Sequence, residues 1–129
     1  MVNDAAHALV RDNEHFASLW DYSALGLQTG RHRRQLILLL CALSFKQGTH
    51  IDFGTLHEQL AQAGVDVNDE ALDADLSYLR ELELIEFSGE IGDGEYRLAI
   101  PLMSDWIEQQ QDADVVASRA RTEAEEENA

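Results

Sequence analysis

Apolar positions recur at helical spacing along most of the chain. From Asn3 to about Trp20, a loose stripe of Ala5, Ala6, Leu9, Phe16, Leu19 and Trp20 predicts a helix that Asn3 or Asp4 can cap. Asp21 to Gly30 holds two glycines, a serine and a threonine, and reads as a loop. Leu36 to Phe45 follows, with Leu36, Leu39, Leu40 and Leu43 on one face. Ile37, Leu38 and Cys41 widen that stripe almost all round, the mark of a helix at the centre of a core, and Gln47-Gly48 ends it. Thr49 to Asp52 is a short extended piece. Phe53 to Ala63 is a helix capped by Asp52, with Phe53, Leu56, Leu60 and Ala61 inward and Gly64 as its stop. Asn68 caps the next helix, whose Leu72, Leu76, Leu79 and Leu82 fall in register. Leu84–Ser88 and Glu95–Ile100 read as strands around the glycine-rich turn from Gly89 to Gly94. Pro101 opens a final helix anchored by Leu102, Met103, Trp106 and Ile107.

A chain of 129 residues that is 45% hydrophobic suits one domain with an ordinary core, plus a tail. A single cysteine excludes an internal disulfide framework and a Cys-rich zinc site. The longest apolar run, Leu36 to Leu43, is far shorter than the ~20 residues of a membrane span. No basic and apolar leader is visible at Met1-Val2-Asn3-Asp4, so a cytoplasmic location is expected.

Charge changes the picture more. The formal net charge is −16, from 25 acidic and 9 basic side chains. The acids concentrate in the second half, where Arg80, Arg97, Arg119 and Arg121 face the whole run from Asp66 to Glu127. Tight, non-specific binding to nucleic acid and binding to anionic membrane are therefore not expected, since both are polyanions. Residues 111–129, with Glu123, Glu125, Glu126 and Glu127 near the end, are expected to form a solvated, disordered acidic tail.

The element order of helix, short extended piece, helix, turn, helix and hairpin resembles the winged-helix family from Arg33 to Ile100. The most specific stretch is Tyr78-Leu79-Arg80-Glu81-Leu82-Glu83-Leu84-Ile85-Glu86, a leucine-rich helix end leading into a strand. Glu83 stands where that family commonly has glycine. The flanks, Phe16-Ala17-Ser18-Leu19-Trp20 and Tyr96 to Ile107 with its proline and Trp106, resemble the C-terminal winged-helix domain of STAND-type and related AAA+ ATPases. The resemblance implies an α+β fold, mainly helical with a small hairpin: residues 1–30 pack on a winged-helix domain spanning 31–110, with the tail at 111–129. It implies an accessory subunit or C-terminal domain of a P-loop NTPase-type assembly, and it does not imply ATPase activity here.

Chemistry-bearing motifs are sparse. No G-x-x-x-x-G-K-S/T phosphate loop occurs, and Lys46 is the only lysine. Gly89, Gly92 and Gly94 are flanked by Glu90, Asp93 and Glu95, which would repel phosphate. His50, Asp52 and His57 lie close in sequence but lack the ligand count of a metal site. Cys41 reads as an inert buried thiol, and Asp73 and Asp75 as part of a solvated helix face. Neither catalysis nor a cofactor is expected.

The candidate partner surface is Asp69, Glu70, Asp73, Ser77 and Arg80 on the helix after Asn68, with Glu90, Ile91 and Asp93 at the turn. Its sign suits a protein with a basic surface. Arg31, Arg33 and Arg34 form the alternative, a basic cluster able to meet phosphate or an acidic partner. A small DNA-binding transcription regulator that dimerises through the N-terminal helix is the competing reading.

Overall fold

The fold is organised around one helix. The computed structural model describes residues 2–25, 29–89 and 94–127, with side chains from Glu14 onward. Among these, six helices and three strands run in the order α1 (Val2–Leu25), α2 (Arg31–Lys46), β1 (Ile51–Asp52), α3 (Phe53–Gln62), α4 (Asp69–Glu81), β2 (Ile85–Ser88), β3 (Glu95–Leu98), α5 (Pro101–Gln110) and α6 (Ala113–Glu127). The chain is thus mainly helical with a small antiparallel sheet.

Leu36, Ile37, Leu38, Leu39, Cys41 and Ala42 of α2 are all buried, and every other element packs on this helix or on its neighbours. Leu40 is only partly buried and Leu43 is exposed, so the inward face differs from the Leu36–Leu39–Leu40–Leu43 face expected from spacing. A helix that is apolar nearly all round gives periodicity little power to tell its inward side from its outward one. Leu56 and Leu60 of α3 and Leu72, Leu76 and Leu79 of α4 close the other side of the core. Phe16 and Trp20 of α1 are buried, Leu19 packs against them, and Trp20 meets Trp106 of α5 at 6.1 Å between ring centroids.

The sheet order is β1-β3-β2, all antiparallel, with Ile51 opposite Tyr96 and Ile85 opposite Leu98. Ile51, Ile85, Tyr96 and Leu98 point into the core, while Glu86, Glu95 and Arg97 alternate outward. The extended piece before α3 is therefore a third strand, added to the hairpin.

Caps follow the sequence closely. Asp52 accepts the Thr55 N–H at 2.6 Å, and Asn68 accepts the Ala71 N–H at 2.7 Å. Three helices end in the same left-handed turn. The residue at positive φ is Gly48 after α2, Gly64 after α3 and Glu83 after α4, and in each case the following N–H reaches back to the last turn (Thr49 to Ser44, Val65 to Leu60, Leu84 to Leu79).

Two expectations are corrected. Helix α1 continues to Leu25, through part of the stretch that reads as loop; Gly26, Leu27 and Gln28 lie outside the described residues. Most of the stretch expected to be a disordered tail, 111–129, forms α6. Val116, Ala120 and Ala124 are buried on one stripe of that helix, and α6 has a more extensive contact with α2 than any other element has. Small side chains let the two axes come close, so little apolar volume is needed to hold the pair.

Candidate functional site

Helix α4 has an inner and an outer face. Leu72, Leu76 and Leu79 bury the inner one, which turns Asp69, Glu70, Asp73, Ser77 and Arg80 outward, all exposed. Asp69 lies 3.9 Å from His57 Nε2, whose closer neighbour is the Val67 carbonyl at 2.7 Å. The one cation of this face, Arg80, lies over the Phe87 ring of β2, with its guanidinium carbon 5.2 Å from the centroid. Arg97 of β3 is paired with Glu86 of β2 at 2.6 Å. The outer face thus joins a row of carboxylates to a sheet surface whose arginine is already paired. Glu90, Ile91 and Asp93 of the expected surface lie outside the described residues.

The basic cluster is not a surface cluster. Arg31 is exposed, but Arg33 and Arg34 are buried, Arg34 completely. Their partner is Asp75 of α4, 1% exposed, which bonds Arg33 Nε through one oxygen and Arg34 Nη1 through the other at 3.2 Å. Arg34 also donates to the carbonyls of Ser23 (2.5 Å), Ala24 (2.9 Å) and Thr29 (2.7 Å), and so closes the C-terminal end of α1. The Tyr78 ring stacks on the same guanidinium at 5.1 Å, and its hydroxyl donates to the Tyr22 carbonyl at 2.9 Å. Burial pushes the Asp75 carboxyl above the usual carboxylate range, and the two guanidiniums pull against that shift. Asp75 is therefore an internal clamp joining α1, α2 and α4, and not part of a solvated face.

Sequence reasoning missed this clamp, yet a signal was present. Asp75 occupies the i+3 place in the stripe Leu72, Leu76, Leu79, so a carboxyl in a buried register called for hydrogen-bonding or cationic partners.

The N-terminus of α2 is closed from a distance. Its cap position is Gly30, at φ 73°, which has no side chain to offer. Glu123 of α6 accepts the His32 and Arg33 N–H groups at 3.1 and 3.3 Å, and Glu127 accepts the Gly30 N–H at 2.8 Å. A Cβ at position 30 would come within 2.3 Å of the Arg33 guanidinium, so a side chain there would be strained in φ and would push that guanidinium off Asp75.

The remaining candidates separate. His50 faces Glu95 at 3.2 Å, Asp52 caps α3, and His57 faces Val67, so the three do not converge. Among the described residues no group of three or more His, Cys, Asp or Glu is placed to hold a metal ion. Burial pushes the Cys41 thiol up to about 12, which leaves it protonated at neutral pH. No described helix is long and apolar enough to cross a membrane.

Comparison with protein families, with curated proteins and with solved structures finds no match.

Proposed function

We propose that the chain is a non-catalytic winged-helix module for protein interaction or regulation, acting in the cytoplasm as an accessory subunit or C-terminal domain of a P-loop NTPase-type assembly. The element order from α2 to β3, with β1 paired to the hairpin, supports the winged-helix part of the reading. One observation carries the functional part: the outer face of α4, the surface such a fold offers to a DNA groove, exposes Asp69, Glu70 and Asp73 against a single stacked Arg80. Phosphate contacts supply most protein–DNA affinity, and this face repels phosphate. The arginines that could have compensated, Arg33 and Arg34, are committed to Asp75 inside the fold.

The test has two arms. Fluorescence anisotropy with duplex DNA at physiological salt should show no sub-micromolar binding; tight binding there would favour the transcription-regulator reading, with α1 as dimer contact. Affinity capture with wild type and with Asp69, Glu70 and Asp73 reversed to lysine, followed by identification of what is retained, should show a basic-surfaced protein lost on reversal. If both baits retain the same proteins, this face is not the partner surface.

A further inference from the structure

The helix that holds the longest apolar run, Leu36 to Leu43, leaves part of that run uncovered. Leu43 of α2 is 42% exposed, and Leu40 one turn earlier is only partly covered. Leu43 is a ridge between two clefts of about 300 Å³ each. One runs between α2 and the α5–α6 corner over Leu39, Ala42 and Ile107. The other runs beside Leu40 toward Gln59 and Gln62 of α3. Leu102, 65% exposed, stands one turn before Asp105 on α5, and Asp105 reaches across to Lys46 of α2 at 2.8 Å. An exposed leucine set between two clefts, one floored by apolar side chains and one edged by amides, is a candidate docking surface on a soluble protein.

The rims indicate what docks. On the α3 side they are neutral amides. On the α5–α6 side they are the carboxylates of Glu108 and Asp112. Lys46, the one cation lining either cleft among the described residues, is already held by Asp105 and Glu108. Asp112 is fixed in place, because its Oδ1 accepts the Asp114 and Val115 N–H groups at 2.9 and 3.2 Å at the start of α6. A second copy of the chain would bring its own charge of −16 to an acidic rim, which argues against self-association here.

We propose that this surface docks a cationic amphipathic helix of another protein. Two of its apolar side chains seat in the clefts on either side of Leu43, and a lysine or arginine of the same segment meets Asp112 together with Glu108, which shares Lys46 with Asp105. Anchors three or four residues apart on a helix suit paired clefts flanking a ridge. The inference rests on the reading of the chain as a protein-interaction module and adds to it a docking surface distinct from the outer face of α4.

The probe is a synthetic peptide with leucine at i, i+3, i+4 and i+7 and lysine between, compared with a scrambled peptide of the same composition. Binding is read by fluorescence anisotropy, with the fold of each variant checked by thermal unfolding. The periodic peptide should bind wild type at least about tenfold more tightly than the scrambled one. Leu43→Asp should remove at least about tenfold of that affinity, and Leu43→Gln, a milder change at an exposed position, should move it in the same direction. Glu108→Gln with Asp112→Asn should weaken binding about threefold or more and flatten its salt dependence, since asparagine keeps the capping oxygen and removes only the charge. Equal binding of both peptides, no binding, or indifference to Leu43→Asp would overturn the proposal. Loss of binding only on Asp69→Asn, Glu70→Gln and Asp73→Asn would move docking to α4 and leave the module reading standing. Tight duplex DNA binding by wild type would remove that reading itself.

Discussion

Asp75 and the two arginines around it hold three helices together at one buried point. Removing the carboxylate would take the shared anion away from two buried guanidiniums, leaving Arg34 its carbonyl acceptors and Arg33 the more distant Glu127, and a poorly compensated buried charge is far costlier than an absent ion pair is beneficial. Asp75→Ala should therefore destabilise by about 3–5 kcal/mol, read as a lower urea midpoint. A loss below about 1 kcal/mol would mean that the arginines re-solvate freely. Leu76, 1% exposed, should cost about 2–5 kcal/mol on truncation to alanine. Leu40, partly exposed, should cost clearly less, although both lie in leucine-rich helices of similar pattern. Glu83 carries the opposite sign. It sits at φ 60° in the turn position that glycine fills after α2 and α3, so Glu83→Gly should stabilise by about 0.5–1 kcal/mol once the greater entropy of an unfolded glycine is counted. That departure was legible in the sequence, because glycine was the residue to expect there. The burial of Arg33 and Arg34 was less so: a cluster of arginines at a helix start looks the same whether it meets water or an aspartate on another helix. Cys41, with its thiol pushed up to about 12, should resist alkylation at pH 8 in the native state and react once the chain is unfolded in urea.

At the scale of elements, the caps and stripes of α3 and α4 could be read directly, since Asp52, Asn68 and the leucines act within one helix. The role of α6 could not. Its buried stripe is one valine and two alanines, Val116, Ala120 and Ala124, and its glutamates gain their meaning only from the N-terminus of α2. Periodicity measures how apolar a face is, not how closely another helix approaches it. Ending the chain at Asp112 would uncover α2 and leave the Gly30, His32 and Arg33 N–H groups without their acceptors. Such a truncation should lower the thermal midpoint markedly, and Glu123→Gln with Glu127→Gln should lower it less, at a cost of about 0.3–1 kcal/mol per site. An unchanged midpoint for the truncation would show α6 to be dispensable packing. The cap of α3 supplies a pH test. Hydrogen bonds from Thr55 hold the Asp52 carboxyl below the usual carboxylate range, so its stabilisation is present above the unfolded pKa and is lost as pH falls through the folded one. Asp52→Ala should cost about 1 kcal/mol at pH 7, and that cost should shrink in acid below the ordinary carboxylate pKa. A cost independent of pH would mean that the hydroxyl form caps as well as the carboxylate.

For the whole molecule, the charge of −16 sets a test that no single residue can. Carboxylates crowd the surface from α4 to α6, and exposed pairs that relieve them, such as Arg97 with Glu86 and Lys46 with Asp105, are few among the described residues. Salt screens repulsion between exposed charges beyond about 8–10 Å and leaves a buried contact such as Arg34 with Asp75 nearly untouched. Two effects then oppose each other as sodium chloride rises. Screening weakens the glutamate caps on α2 and the surface pairs, each worth under about 1 kcal/mol. It also weakens the self-repulsion of the whole acidic surface, which grows with every carboxylate present. The second effect involves more groups and should win, so the urea midpoint should rise between low salt and physiological salt. Arg33 and Arg34 cannot offset the excess at the surface, because they face inward. A midpoint that fell with salt would mean that the α6 caps outweigh the repulsion, and the acidic surface would then be less costly to the fold than its charge implies. A midpoint that rises means the chain carries its carboxylates at the expense of its own stability, and a cationic partner seated against them would relieve the same repulsion that salt does.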